Sequence, residues 1–378
     1  MTVEVLTTMA AQQTANLQRV AKAIGADIIP YLNRIESGIF DILGKCEDKN
    51  ITPARRDKIL KDIDALTKAE YAAYIAEYNV SMKAVGAEEV AASTLALDTA
   101  IESDVDINQP KKSDVNQAVI ATPIQQGDKS WTTYKGMQKS FVDGYVSEIN
   151  SAALASMQGA TTGKDIADAM YTQIHYQGRK ASKSVLDRSR RGADSLSATG
   201  VNHVANVTRV QFGEANSKLV KGYVFIAVID SQTSQTCRQG DQTTMKADNP
   251  KFSAWSPPRH RGCRSALSYD VDERYKLDSA DTKRQSSFTK DGLRDPKQVS
   301  SAEMYYQQMI DANLSAADMD KIMGATLGKA FRKGIKDGTL TPESFGKMTV
   351  DSLYAPLTLK QMSERNNALG KILRKQKG

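Results

Sequence analysis

Val220-Lys221-Gly222-Tyr223-Val224-Phe225-Ile226-Ala227-Val228-Ile229-Asp230 is the stretch on which the fold turns. Its β-branched and aromatic residues fit a pleated, well-buried surface, so it predicts a central strand closed by Asp230. Helical periodicity precedes it over 201–218. After it comes a polar loop carrying Thr233, Cys237 and Asp241, and then Trp255-Ser256-Pro257-Pro258-Arg259-His260-Arg261-Gly262-Cys263-Arg264-Ser265. A second short strand is expected over 266–269. Two polar loops, each with a cysteine and one with a histidine, should therefore converge beside one strand. Residues 201–275 read as a small α+β module with a short sheet.

Upstream, Leu17, Val20, Ile24, Ile28, Leu32, Ile35, Ile39 and Ile42 recur every three or four residues. That spacing predicts one helical stripe over 17–43, kinked at Pro30. Thr52-Pro53 supplies a side-chain cap and a proline at the first helical position, opening a second helix that carries Ile59, Ile63, Leu66, Tyr71, Tyr74 and Tyr78. A third helix is expected over 85–101. A tyrosine stripe at this spacing reads as core or interface and carries no chemistry. Residues 1–110 thus form an N-terminal helical domain of antiparallel helices, and the polar stretch 103–113, with Pro110, marks a linker. A helical connecting region occupies 111–200, with Val119-Ile120-Ala121 as a short extended piece and helix from about 134 to 157. Residues 276–378 form a helical tail. The fold class is α+β, predominantly helical.

Composition narrows the function classes. The 378 residues carry a net charge of +7 and 40% hydrophobic residues, which excludes a wholly disordered, collagen-like or disulfide-scaffold chain. Three cysteines, widely spaced, suit a reducing compartment such as the cytoplasm. The start lacks a basic, then apolar, signal pattern, and the longest apolar run, 223–229, is too short to span a bilayer; a soluble protein is expected. Gly159 to Asp165 resembles a phosphate loop, but three residues rather than four separate its glycines and Asp165 follows Lys164, so it reads as a helix cap. The densest positive segment holds Arg179, Lys180, Lys183, Arg188, Arg190 and Arg191 against Asp187 alone. It suits phosphate contacts or a solvated, partner-binding face equally well. Arg365, Lys371, Arg374, Lys375 and Lys377 make a second basic segment, read as a terminal tail.

The two-loop segment carries the chemistry. Cys237, His260 and Cys263 are donors that zinc favours, with Asp241 as the nearby fourth candidate. Against that stands the reading in which these side chains hydrogen-bond and pack to pin two loops over the sheet, with no cofactor. A nucleophilic Cys263, acidified by Arg261 and Arg264 with His260 as base, has His260 only three positions away on the same loop and no orienting acid in view, so no enzyme is expected. Asp230 and Thr233 organise the turn that leaves the strand.

Asp230-x-x-Thr233-Ser234-x-x-Cys237-Arg238-x-x-Asp241, followed by Pro257-Pro258-x-His260-x-x-Cys263-Arg264-Ser265 and preceded by Val220-Lys221-Gly222, resembles the phage Mu protein F-like minor head proteins, also called phage head-morphogenesis proteins. Gly159, Thr161 and Ile166 look like that family's lead-in, and Leu327-Gly328-Lys329 through Gly338, Phe345 and Leu357-Thr358-Leu359 resemble a tail often found after its domain. Gln242 stands where many members have glycine, and the first loop lacks a second cysteine that some members carry. The resemblance implies a structural-motif set of Asp230, Thr233, Cys237, Asp241, Pro258, His260, Cys263 and Arg264. It further implies a virion protein of a tailed-phage head, present in host cytoplasm during assembly, whose partners are the portal or major capsid protein and packaged phage DNA. Its role would lie in head assembly, genome packaging or DNA delivery.

Overall fold

The computed structural model describes residues 2–101, 105–127, 130–179, 182–228, 233–276, 284–286 and 297–299, and beyond these 306, 310, 315–348, 357, 359–365 and 369–372. The described residues are 69% helical with a few short antiparallel strands, the helix-dominated α+β class that the sequence predicts.

Helix α1 (Thr2–Ala26) and helix α2 (Ile29–Gly44) replace the single kinked helix expected over 17–43. Pro30 lies in the first turn of α2, where a missing N–H breaks no intrahelical bond, so the chain stops and restarts instead of bending. The stripe still faces inward: Leu17, Ile24, Ile28, Leu32, Ile35 and Ile39 are buried. Helix α3 (Pro53–Ala100) begins as expected, with the Thr52 hydroxyl accepting from the Arg55 N–H. It then runs on through the helix expected separately at 85–101. Its one internal glycine, Gly86, faces Val204 and Thr208 without a clash, so nothing there breaks the helix. Tyr71, Tyr74 and Tyr78 are buried, and Tyr71 Oη lies 2.7 Å from Ser189 Oγ.

Helix α4 (Lys112–Ala121) takes in Val119-Ile120-Ala121, and the extended piece comes after it as β1 (Ile124–Gly127), paired with β2 (Ser130–Thr132). Pro123 explains the shift, since a helix usually ends before the residue preceding proline. Helices α5 (Tyr134–Ser156) and α6 (Gly163–Ile174) follow. The 159–165 segment is a cap: Thr162 accepts from the Asp165 N–H while Asp165 accepts from the Thr162 N–H.

Helix α7 (Val185–Ala215) is the axis of the molecule, packed by α1, α3, α4, α5 and the sheet. The boundary expected at 200/201 falls inside it, because residues on both sides share its core. Every residue from Thr199 to Arg209 is buried, so its polar groups must find partners inside the fold. At Gly200 a Cβ would lie 1.8 Å from the Tyr78 hydroxyl, so only glycine permits this approach of α3 to α7.

The sheet is three-stranded and antiparallel, ordered β4 (Thr244–Met245), β3 (Val220–Ile226), β5 (Ala266–Val271). Val224 opposes Ser268 and Tyr223 opposes both Tyr269 and Met245. Strand β3 is central as expected but stops at Ile226; Asp230 lies outside the described residues. Val224 and Ile226 pack against Ala10 of α1, while Tyr223 and Phe225 share the opposite core with Phe212 and Trp255. Cover on both faces explains why the strand reads as a continuous apolar run rather than an alternating one. Helix α1 thus lies against the module instead of standing apart in a separate N-terminal domain.

His203 links this packing to pH. It is 1% exposed, and Nε2 lies 2.9 Å from the Val119 carbonyl, to which it donates. Burial pulls its pKa down to about 4 from an ordinary value of 6.5, against the opposing pull of that hydrogen bond. The unfolded chain therefore takes up a proton that the folded chain refuses. Stability is full above pH 6.5, falls as the pH drops towards 4, and loses nothing more from this group below that. The loss should total about 3 kcal/mol. Urea midpoints measured from pH 7 to pH 4 should show it, and a His203→Gln protein should give a flatter profile over the same window.

Candidate functional site

The first loop is more ordered than a polar run suggests. Ser234 caps a short helix, α8 (Gln235–Gly240), by accepting from the Cys237 N–H at 3.3 Å. Around it, Thr233 Oγ1 donates to the Val228 carbonyl, Arg238 Nη1 donates to the Thr233 carbonyl, and Asp241 Oδ1 accepts from the Ala227 N–H at 2.8 Å. These bonds fix the chain leaving β3. The second loop begins at α9 (Phe252–Trp255), passes the buried prolines Pro257 and Pro258, joined by a cis bond, and turns tightly where the Cys263 N–H donates to the His260 carbonyl. Arg264 is half-buried just beyond the turn.

The two loops meet at their cysteines. Cys237 Sγ lies 3.7 Å from Cys263 Sγ and 3.3 Å from His260 Nε2, and the three side-chain donor atoms all fall within 4.8 Å of one another. Both cysteines are free and buried, and His260 is half-buried. His260 Nδ1 lies 3.0 Å from the Arg261 carbonyl; donating there leaves Nε2 with a lone pair directed at the cysteines and the Ser234 hydroxyl, 2.9 Å away. The thiols titrate as a pair. The Cys237 hydrogen bond, with help from His260 and the Arg259 N–H and against burial, favours a thiolate on Cys263. That contact and burial together push the Cys237 thiol up, since two adjacent buried anions repel. For His260, burial opposes the imidazolium, but the hydrogen bond and charge of Cys263 outweigh it and raise its pKa.

Asp241, the nearby candidate for a fourth ligand, does not join the cluster: among the described residues only Cys237, His260 and Cys263 group together, while Asp241 is engaged by the Ala227 N–H. His260 turns its outer nitrogen, Nδ1, to the Arg261 carbonyl, its partner among the described residues.

A set of residues that sequence reasoning missed holds the second loop in place. Thr199, Asn202, Asn206 and Arg209 lie on one stripe of α7, spaced three, four and three residues apart. The Gly262 N–H donates to Thr199 Oγ1, Asn202 Nδ2 donates to the Ser265 carbonyl at 2.7 Å, and the Leu267 N–H donates to Asn206 Oδ1 at 2.7 Å. Arg209 Nη1 donates to the Leu267 carbonyl at 2.9 Å. The available signal is Thr199, Asn202, Asn206 and Arg209 at helical spacing, interleaved with the apolar Val201, Val204, Ala205 and Val207.

The basic segment is largely occupied by its own surroundings. Arg188 pairs with Glu148, Arg190 with Asp194, and Arg191 donates to the Ser182 carbonyl. These arginines lie in the first turns of α7, where the helix dipole disfavours positive charge and nearby carboxylates offset it. Arg179 and Lys183 are exposed, and Lys180 lies outside the described residues. Of the terminal basic residues, Lys371 is exposed, and Arg374, Lys375 and Lys377 lie outside the described residues.

Comparisons of this chain with protein-family models, with curated proteins and with solved structures gave no match.

Proposed function

We propose that this chain is a minor head protein of a tailed phage, a structural component that joins the assembling head by binding the portal or major capsid protein and acts in head assembly, genome packaging or DNA delivery. The observation that carries this reading is the meeting of the two halves of the motif: residues 26 positions apart bring their sulfurs to 3.7 Å beside one sheet. A second observation supports it. Gln242, at the position where many Mu F-like proteins have glycine, has φ of 60°, the left-handed region that favours glycine. The backbone therefore has the shape that the family's usual residue suits.

In this reading the module is a rigid fastener with no catalytic step. Helix α3, 48 residues and about 70 Å long, spans the molecule as a strut that holds surfaces for different partners apart. The test is co-expression of the full chain with the portal and coat proteins of the phage that encodes it. The chain should co-sediment with portal rings or heads. Heads that assemble normally while the chain stays among the free proteins would overturn the proposal.

A further inference from the structure

We propose that Cys237, His260 and Cys263 form a zinc site with three protein ligands and one position open to water. The inference is independent of the head-protein reading, since it rests on donor geometry alone.

Zinc holds thiolate sulfur at about 2.3 Å and imidazole nitrogen at about 2.0 Å in a tetrahedron, which places two sulfurs about 3.8 Å apart and a sulfur and a nitrogen about 3.5 Å apart. The observed separations are 3.7 Å between the sulfurs and 3.3 Å from Cys237 Sγ to His260 Nε2. Two of the three donor–donor edges are thus within a few tenths of an ångström of tetrahedral values, and the third, between Cys263 and His260, lies within 4.8 Å. The sulfurs are far outside disulfide range, at about 2.0 Å, and both cysteines are free.

The surroundings point the same way. A metal-ligating histidine characteristically gives its outer N–H to a carbonyl or carboxylate, which fixes the ring and its tautomer. His260 does this through Nδ1 and the Arg261 carbonyl, so Nε2 faces the sulfurs. Cys237 is held by the start of α8, whose cap is Ser234, and Cys263 by the turn closed on the His260 carbonyl, so the backbone positions all three donors. On zinc binding the two thiols each release one proton and His260 ligates as the neutral ring. The centre Zn²⁺ with two thiolates then carries no net charge, which a buried position tolerates and an anionic centre would not. Among the described residues no further cysteine, histidine or carboxylate joins the group, so the fourth position falls to water. The donor set of two sulfurs and one imidazole selects zinc over magnesium or calcium.

The test uses the full chain, purified under reducing conditions from zinc-supplemented cells. Elemental analysis should find about one zinc per chain. After chelation, titration with Co²⁺ should produce thiolate-to-cobalt charge-transfer absorption and the visible bands of tetrahedral cobalt, both abolished by added Zn²⁺. Cys237→Ser, Cys263→Ser and His260→Ala should each weaken metal binding by more than about 100-fold, whereas Cys46→Ser should leave it unchanged. The wild-type cobalt spectrum needs no variant to fold, so the assignment stays testable if the variants misfold. Reduced wild-type protein without zinc and without charge-transfer absorption would overturn it. So would zinc retained equally by a variant lacking all three ligands, because that metal would be adventitious.

Discussion

Replacing Arg209 by alanine is expected to destabilise the fold by about 3–5 kcal/mol, among the largest effects available to a single substitution in this chain. Arg209 on α7 is 3% exposed and Glu89 on α3 is 1% exposed, and Arg209 Nε donates to Glu89 Oε1 at 2.5 Å. Arg209 Nη1 reaches the Leu267 carbonyl of β5, and Gln13 of α1 approaches the other oxygen of Glu89 at 3.4 Å. One ion pair therefore ties the two longest helices to the sheet and to the N-terminal helix. Removing the guanidinium leaves a buried carboxylate with little to offset its desolvation and orphans a buried carbonyl, and both penalties act together. The pair itself need not be strongly stabilising. Replacing both partners by apolar residues, Glu89→Leu with Arg209→Met, should recover most of the loss, because no charge is then left unpaired. Urea unfolding of the two single variants and the double variant measures this directly. A loss below about 1 kcal/mol in Arg209→Ala would mean that water reaches Glu89 in the folded chain.

What the sequence makes legible here follows from the range of each interaction. The β3 strand, the tyrosine stripe of α3 and the Thr52 and Thr162 caps depend on residues within one or two turns of each other, so period and capping chemistry suffice to read them. Pro30 shows the limit. Its neighbours carry one unbroken apolar stripe, and only the position of proline relative to a new helix start decides between a bend and a break. The α3 helix was expected in two pieces because alanine-rich sequence gives no strong period; its continuity comes from packing along α7. The approach of Cys237 to the His260 and Cys263 corner is suggested by loop order beside one strand. The α7 polar stripe that holds that corner is not, since Thr199, Asn202, Asn206 and Arg209 look like solvent-facing residues until the backbone of 262–267 is laid against them. Asp241 failed as a ligand for the same reason: its partner, the Ala227 N–H, belongs to the end of β3, and no spacing rule identifies it.

Trp255→Ala should show how far the clasp depends on the core beneath it, with an expected loss of about 3–5 kcal/mol. Trp255 is fully buried, its ring centroid 5.7 Å from those of both Phe225 and Phe252, and its indole Nε1–H donates to Thr243 Oγ1 at 2.9 Å. The substitution thus empties a large aromatic volume between α9 and β3 and leaves the half-buried Thr243 hydroxyl without its donor. Trp255 also stands two residues before Pro257, at the root of the loop that carries His260 and Cys263. A cavity there frees that root while Thr199, Asn202 and Asn206 still hold the far end of the loop at 262–267. The variant should therefore remain folded at low denaturant yet let His260 shift relative to Cys237, which sits on the other loop. Fluorescence separates these events, because the chain has two tryptophans and Trp131 is 42% exposed. The folded protein should show blue-shifted emission from Trp255, and the variant the red-shifted emission of Trp131 alone. Trp255→Phe keeps most of the apolar contact and loses only the indole hydrogen bond and some volume, so it should lie closer to wild type in both stability and cobalt absorption. If Trp255→Ala lowers the denaturant midpoint but leaves the cobalt spectrum intact, the three donors are held by the α7 stripe and the Ser234 cap without help from the aromatic core.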